Sequence, residues 1–151
     1  MDVALHPEFD TNGWVYLSFY ASAGPAGENE RRRGGMTKIV RGKIVPDAAS
    51  PANADAGANA PRAFAWTDEQ TIFEAKPEHA VGSGLHFGCR IVFQTPADAP
   101  ARNEGRYYIY WAIGERGQAA HAQDLSRPNG KVHRLWDDGS VPADNPFADG
   151  R

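Results

Sequence analysis

The sequence predicts an all-β protein, and three observations support this prediction. Short runs of aromatic and β-branched residues recur along the chain, and turn dipeptides such as Asn12-Gly13 separate them. No segment of comparable length has the apolar period of an amphipathic helix. Apolar residues make up 41% of the 151 residues and charged residues 23%, a balance typical of chains that fold around an apolar core.

Six segments have the composition of strands. The first follows the Asn12-Gly13 turn and combines aromatic with branched side chains, as expected for a largely buried strand. Pro46 ends the second, because proline has no backbone N–H to donate within a sheet. The six predicted strands are 14–20, 37–45, 70–74, 89–93, 106–113 and 130–136.

Three segments between these strands contain few residues to bury, and they read as surface loops. They are 21–35, 46–61 and 96–105. We expect 46–61 and 96–105 to be loop insertions within one domain that spans 1–151. Three consecutive arginines at 31–33 could form an anion site, but a solvated loop is favoured because no second basic cluster or interleaved aromatic accompanies them.

Composition excludes several functional classes. The net charge of −3 and the pI near 5.9 give no basic field for nucleic acid. No run approaches 18 consecutive apolar residues, so we expect no membrane span. Cys89 is the single cysteine, which excludes an internal disulfide and a cysteine-cluster metal site. The first residues lack the basic and apolar regions of a secretory signal.

Three groups of motifs follow one another in a characteristic order. The first combines 2–9 with 12–18, the second spans 82–93, and the third runs from 113 to 147. In this order the motifs resemble the soluble glucose/sorbosone dehydrogenase family, the quinoproteins that include PQQ-dependent aldose sugar dehydrogenases. The resemblance covers nearly the whole chain apart from the three loop segments.

The resemblance implies a six-bladed β-propeller that holds pyrroloquinoline quinone (PQQ) and Ca²⁺ at the mouth of its central channel. Six predicted strands cannot supply six blades of about four strands each, so we expect a partial propeller with the early blades only. By resemblance, the substrate is an aldose, an external electron acceptor is the partner, and the protein is periplasmic or secreted. The family residues that contact PQQ and calcium lie largely beyond Arg151, so none is assigned here.

His86 is the candidate general base. Oxidation at an anomeric carbon requires removal of a hydroxyl proton while hydride leaves the carbon, and a neutral imidazole suits the first task. His86 lies between Gly84 and Gly88 and matches the catalytic histidine of the family. From the residues alone, a strand-end histidine bonded to backbone is the competing interpretation, and the resemblance favours the base.

Glu115 and Arg90 complete the predicted catalytic set. Glu115, in Gly114–Gly117, is the candidate carboxylate that orients His86; the alternative is a simple turn in which Glu115 and Arg116 are surface charges. Arg90 matches the arginine of the family's His-x-Gly-x-Arg pattern. It either supports the site electrostatically or forms a structural salt bridge.

Other polar residues have less support. We expect His6 to serve packing or a turn, and Cys89 to be a small buried thiol. An acidic group near the C-terminus could suggest calcium, but its spacing departs from an EF-hand loop and favours turns. This group comprises Asp137, Asp138, Asp144 and Asn145.

The sequence therefore predicts a fragment of a quinoprotein sugar dehydrogenase that oxidises aldoses at the anomeric carbon to lactones by hydride transfer to PQQ. Calcium would polarise the quinone as a Lewis acid. We expect the 151-residue chain alone to be inactive, because it lacks the blades that complete the pocket. The alternative is a non-catalytic β-propeller piece that binds carbohydrate or protein.

Overall fold

The protein is mostly β, with its strands arranged in two antiparallel sheets. The computed structural model describes residues 1–23, 34–50, 52, 62–97 and 105–147. Within these ranges, no helix is long and apolar enough to cross a membrane.

The first sheet contains four strands that pair in sequence order. They are β1 (Asp2–Leu5), β2 (Trp14–Ser22), β3 (Gly35–Pro46) and β4 (Phe64–Glu74). A one-turn helix, α1 (Phe9–Asn12), connects β1 to β2 and ends at Gly13. Gly13 has a φ of 69°, a left-handed conformation that glycine adopts without steric cost.

The second sheet contains three strands, again paired in sequence order. They are β5 (Val92–Gln94), β6 (Tyr108–Ile113) and β7 (Lys131–Trp136). Short 3-10 helices at Pro77–His79 and Ala119–Gln123 lie in the connections before β5 and β7. Strand β6 lies in the middle of this sheet, and Ile113 at its end pairs with Lys131 at the start of β7.

One apolar core joins the two sheets. Its buried members come from both sheets and the segment before β5, and are Tyr16, Met36, Ile39, Ile72, Ile91, Ile109, Trp111 and Ile113. Hydrogen bonds also join the first sheet to the segment before β5: the Ser18 hydroxyl donates to the Cys89 carbonyl at 2.7 Å, and the Ile91 N–H donates to Asp2 at 2.8 Å. These contacts fix the segment before β5 against the first sheet.

Most predicted strands coincide with observed ones. The predictions at 14–20, 37–45, 106–113 and 130–136 agree with β2, β3, β6 and β7 to within two residues at each end. Strand β4 begins at Phe64, six residues before the predicted start at 70. Residues 24–33, 51, 53–61 and 98–104 of the predicted loops, which include the arginines at 31–33, lie outside the described residues.

Two local predictions were wrong. Strand β1 was not predicted, because it has four residues and exposes Val3 and Leu5, which are 65% and 54% accessible. Residues 89–91 are not part of β5, since Cys89 has a φ of 99° and interrupts the extended backbone. The irregular backbone at Cys89 belongs to the segment that contains His86.

Candidate active site

His86 lies on an irregular segment, residues 82–91, that crosses the end of β6. Two backbone hydrogen bonds fix this crossing: the Cys89 N–H donates to the Ala112 carbonyl at 3.1 Å, and the Gly114 N–H donates to the His86 carbonyl at 3.0 Å. The crossing places His86 beside Glu115, which directly follows Gly114.

Two glycines allow the backbones to approach this closely. A Cβ atom at Gly114 would lie 2.5 Å from the His86 Cβ and 2.7 Å from the His86 carbonyl oxygen. A Cβ at Gly88, whose φ is 66°, would overlap the Ala112 carbonyl oxygen. Any larger residue would force the two chains apart, so both positions require glycine.

The side chains of His86 and Glu115 form a close pair. The His86 Nδ1 atom lies 2.8 Å from both carboxylate oxygens of Glu115. This hydrogen bond is the main reason that the pKa of Glu115 falls below its ordinary value, and backbone N–H groups of the same turn lower it further. Glu115 is therefore ionised at neutral pH and accepts the hydrogen bond.

The protonation of His86 follows from this contact. An ionised carboxylate can only accept, so Nδ1 carries the proton and the neutral ring keeps its lone pair on Nε2. Nε2 makes no hydrogen bond to the part of the chain that the structure describes, and the side chain is 53% exposed. His86 thus has one nitrogen fixed by Glu115 and one available as a base.

Glu115 is held in place by its own turn. The Gly117 N–H donates to Glu115 Oε1 at 3.0 Å, and the Gln118 N–H donates to the Glu115 carbonyl at 3.2 Å. Gly117 has a φ of 78°, which closes the turn tightly. These hydrogen bonds therefore restrict the orientation in which the Glu115 carboxylate contacts His86.

An open groove of about 570 Å³ runs beside this pair. His86 and Glu115 line one side, and Lys131 and Val132 of β7 contribute to its lining as well. Lys131 donates to the Asn129 carbonyl at 2.7 Å, and burial lowers the pKa of its ammonium group. The volume lies within the range of small-molecule sites.

Arg90 does not join the His86–Glu115 pair. Its side chain is exposed just before β5, and it makes no hydrogen bond or ion pair with any described residue. The described residues therefore form no salt bridge with Arg90, and no contact links Arg90 to the His86–Glu115 pair. Its catalytic role stays a prediction.

Arg116, which the alternative interpretation of the Glu115 turn made a surface charge, is buried. Arg116 has no exposed surface, and its guanidinium lies 3.7 Å from the centre of the Phe87 ring. Glycines on either side of Glu115-Arg116 indicated a tight turn, but nothing in the sequence indicated that the arginine side chain turns inward. Glu115, in contrast, is 27% exposed beside His86.

His6 has the structural role that the sequence suggested. It is 4% exposed, and its Nε2 lies 2.9 Å from Asp137 Oδ2. Its Nδ1 accepts from the Glu8 N–H at 3.0 Å and lies 2.7 Å from the Asn12 amide nitrogen. Both ring nitrogens are therefore occupied.

The acidic group near the C-terminus forms turns and ion pairs. Asp138 accepts from the Ser140 N–H at 2.8 Å, while Asp144 pairs with Arg134 at 2.9 Å. Within the described ranges, no three His, Cys, Asp or Glu side chains are grouped as metal ligands. Cys89 is a buried thiol, 1% exposed, with its sulfur 3.7 Å from the Thr37 hydroxyl.

Comparisons with known proteins identify proteins that are similar to this chain in sequence and structure. The aldose sugar dehydrogenase YliI of Escherichia coli is 31% identical over 147 residues, which cover 97% of this chain and 30% of that protein. The crystal structure of the soluble aldose sugar dehydrogenase of Escherichia coli in its apo form matches with a TM-score of 0.64 at 30% identity. That match covers 98% of this chain and 33% of the other.

A PQQ-bound aldose sugar dehydrogenase from Streptomyces coelicolor matches with a TM-score of 0.53 at 24% identity, over 97% of this chain and 32% of that one, and supports the fold. The chain thus spans about a third of the length of the relatives it matches. The profile of glucose/sorbosone dehydrogenases matches residues 1–151. The chain therefore belongs to the glucose/sorbosone dehydrogenase family.

Proposed function

We propose that this chain supplies the general base of a PQQ-dependent sugar dehydrogenase that oxidises aldoses at the anomeric carbon to lactones. The observation that carries the proposal is the contact between His86 Nδ1 and Glu115, which leaves Nε2 without a hydrogen bond to the described residues on a side chain that lines an open groove. Membership of a sugar dehydrogenase family supports the substrate class. The active unit would include the other two thirds of the relatives' length.

His86 Nε2 would remove the proton of the anomeric hydroxyl. As the O–H bond breaks, its electron pair forms the second bond of the lactone carbonyl, and the anomeric carbon loses its hydrogen as hydride. PQQ, which the Streptomyces coelicolor relative binds, would supply the acceptor for that hydride and be reoxidised by an external electron acceptor. The proton stays on His86 until it is released to solvent.

Glu115 would act on the imidazole in two ways. Its carboxylate holds the proton on Nδ1, so Nε2 is the nitrogen that presents a lone pair. Once Nε2 takes the substrate proton, the ring is positively charged, and the adjacent carboxylate stabilises that charge. Arg90 would contribute positive electrostatic potential near the site.

The described residues fit one wall of a quinone site and do not fit a calcium site. The groove beside His86 is open, and Lys131 in its lining, whose ammonium donates to the His121 and Asn129 carbonyls, would contribute positive charge near an anionic quinone. Calcium favours several oxygen ligands at once, and the described residues offer no such group. We therefore propose that the ligands of calcium lie outside the described residues.

The test uses the protein completed to the length of its relatives. His86→Ala should lower kcat by about 10²–10⁴-fold, because it removes the proton acceptor. Glu115→Gln should lower kcat less, by about tenfold, because the amide oxygen can still accept from Nδ1. Both variants should bind PQQ and melt like the unmodified enzyme.

His79→Ala is the matched control, since His79 lies on a 3-10 helix and does not line the groove. It should retain the activity of the unmodified enzyme. Full activity of His86→Ala with PQQ bound would contradict the proposed mechanism. Loss of activity through unfolding alone would assign His86 a structural role.

A further inference from the structure

Arg116 connects the two segments that carry the His86–Glu115 pair. Its backbone belongs to the turn of Glu115, while its guanidinium reaches into the segment of His86. We infer that Arg116 is a positioning residue, which fixes the ring of His86 against Glu115 by holding both segments together. The inference deepens the proposed function, because it concerns how the base of that reaction is oriented.

All five N–H groups of the guanidinium have acceptors. Four acceptors are main-chain carbonyls and the fifth is a thioether. The nearest are the Leu85 and Ser83 carbonyls, each at 2.6 Å, followed by Gly35 at 2.9 Å. The remaining two are Val81 at 3.4 Å and the Met36 sulfur at 3.7 Å.

These contacts surround His86 in the sequence. Leu85 precedes His86 and accepts from Arg116 Nε, while Phe87 follows His86 and stacks its ring on the guanidinium at 3.7 Å. The residues on both sides of His86 are therefore fixed to the same cation. A planar guanidinium can satisfy this geometry, whereas a lysine ammonium has three donors and no flat face.

The cation has no carboxylate partner among the described residues. A buried charge without a counter-ion is unfavourable unless hydrogen bonds replace its lost hydration, and burial accordingly lowers the pKa of Arg116. A structural role alone would be served by an apolar side chain of similar volume. The buried charge instead holds carbonyls whose positions determine where His86 lies.

The backbone around the pair is strained, so it needs such a restraint. Arg116, His86 and Cys89 have φ values of 62°, 55° and 99°, which are unfavourable for residues with a Cβ atom. The Ser83 hydroxyl also donates to the Arg116 carbonyl at 2.5 Å and ties the two segments a second time. Loss of these bonds would let the segments relax and would lengthen the 2.8 Å contact of His86 with Glu115.

The test measures the tautomer of His86 by long-range ¹H–¹⁵N NMR on this chain, at about pH 8.5, and the ring ¹⁵N shifts establish that the imidazole is neutral. In Arg116→Lys, the ratio of the Nδ1–H to the Nε2–H form should fall by about three- to tenfold, because a charge-assisted hydrogen bond is weakened. Arg106→Lys is the matched control. Arg106 is a partly exposed arginine that bonds Asp138 and stacks on Trp136, and its change should leave the ratio unaltered.

A folded Arg116→Lys variant with an unchanged tautomer ratio would overturn the inference. If that variant does not fold, Ser83→Ala decides, since it removes one bond of the same connection: a shift in the same direction supports the inference and an unchanged ratio overturns it. The readout involves neither sugar nor quinone. Failure of the proposed function would appear in the kinetics of His86→Ala, independently of this result.

Discussion

Two histidine–carboxylate pairs occur in the described residues, and they differ in how many ring nitrogens are occupied. His6 pairs with Asp137 inside the core, where the two side chains are 3% and 9% exposed. His86 pairs with Glu115 at the surface, where the exposed fractions are 53% and 27%. The distances are nearly equal, at 2.9 and 2.8 Å, so distance alone does not separate a structural pair from a candidate active one.

The hydrogen bonds of the two rings separate them. In His6, Nδ1 accepts from the Glu8 N–H, so the proton lies on Nε2 and is donated to Asp137. In His86, Nδ1 donates to Glu115 and Nε2 makes no hydrogen bond to the described residues, while the side chain lines the groove. The comparison teaches that a candidate base needs a carboxylate on one nitrogen and an open space at the other.

The largest expected difference between the two pairs is the loss in the free energy of unfolding when the histidine is replaced. His6→Ala leaves Asp137 buried without its partner, and we expect it to lower the free energy of unfolding by about 3–5 kcal/mol. His86→Ala removes an exposed side chain and should change that free energy by less than about 0.5 kcal/mol. Chemical denaturation of the two variants measures both values, and equal losses would remove the distinction.

A smaller effect concerns the pKa of Glu115, which the hydrogen bond from His86 lowers. A lowered pKa means that ionised Glu115 stabilises the fold above its unfolded pKa of 4.5, and this contribution is lost as the pH falls through the folded-state pKa. In His86→Ala the pKa should rise toward 4.5, because the largest cause of its shift is removed.

Carboxyl ¹³C NMR titration measures this rise. Asp124 provides an internal control, since Ser126 and not a histidine is the main cause of its lowered pKa. The Asp124 pKa should stay constant in His86→Ala. An unchanged Glu115 pKa in that variant would show that the backbone N–H groups of its turn, and not His86, dominate its environment.

The sequence predicted β2, β3, β6 and β7 well, and it predicted β1, the first half of β4 and the irregular segments poorly. Aromatic and branched residues in β2 and β6 leave few alternatives to a buried strand. Strand β1 has only alternating exposure over four residues, and the backbone at Cys89 depends on its crossing with β6. Such features arise from contacts between distant segments and leave no periodic pattern in the sequence.

In the candidate site, too, the sequence predicted some residues correctly and gave no signal for others. His86 and Glu115 were found through motifs that resemble a family, and the structure brings their side chains together. Arg116 entered only in the alternative interpretation, as a surface charge of a simple turn, and its burial was missed because its carbonyl acceptors lie 31 to 81 positions away. Any residue can provide a carbonyl, so a cation that binds the main chain has no recognisable partner in the sequence.

The position of the proton on His86 tests the central claim most directly. Long-range ¹H–¹⁵N NMR of this chain at about pH 8.5 records His86 and His6 in one spectrum. The account predicts opposite tautomers: His86 protonated on Nδ1 with an unprotonated Nε2, and His6 protonated on Nε2 with an unprotonated Nδ1. A spectrum in which neutral His86 carries its proton mainly on Nε2 would contradict this prediction, because Nε2 could then accept no proton from a sugar.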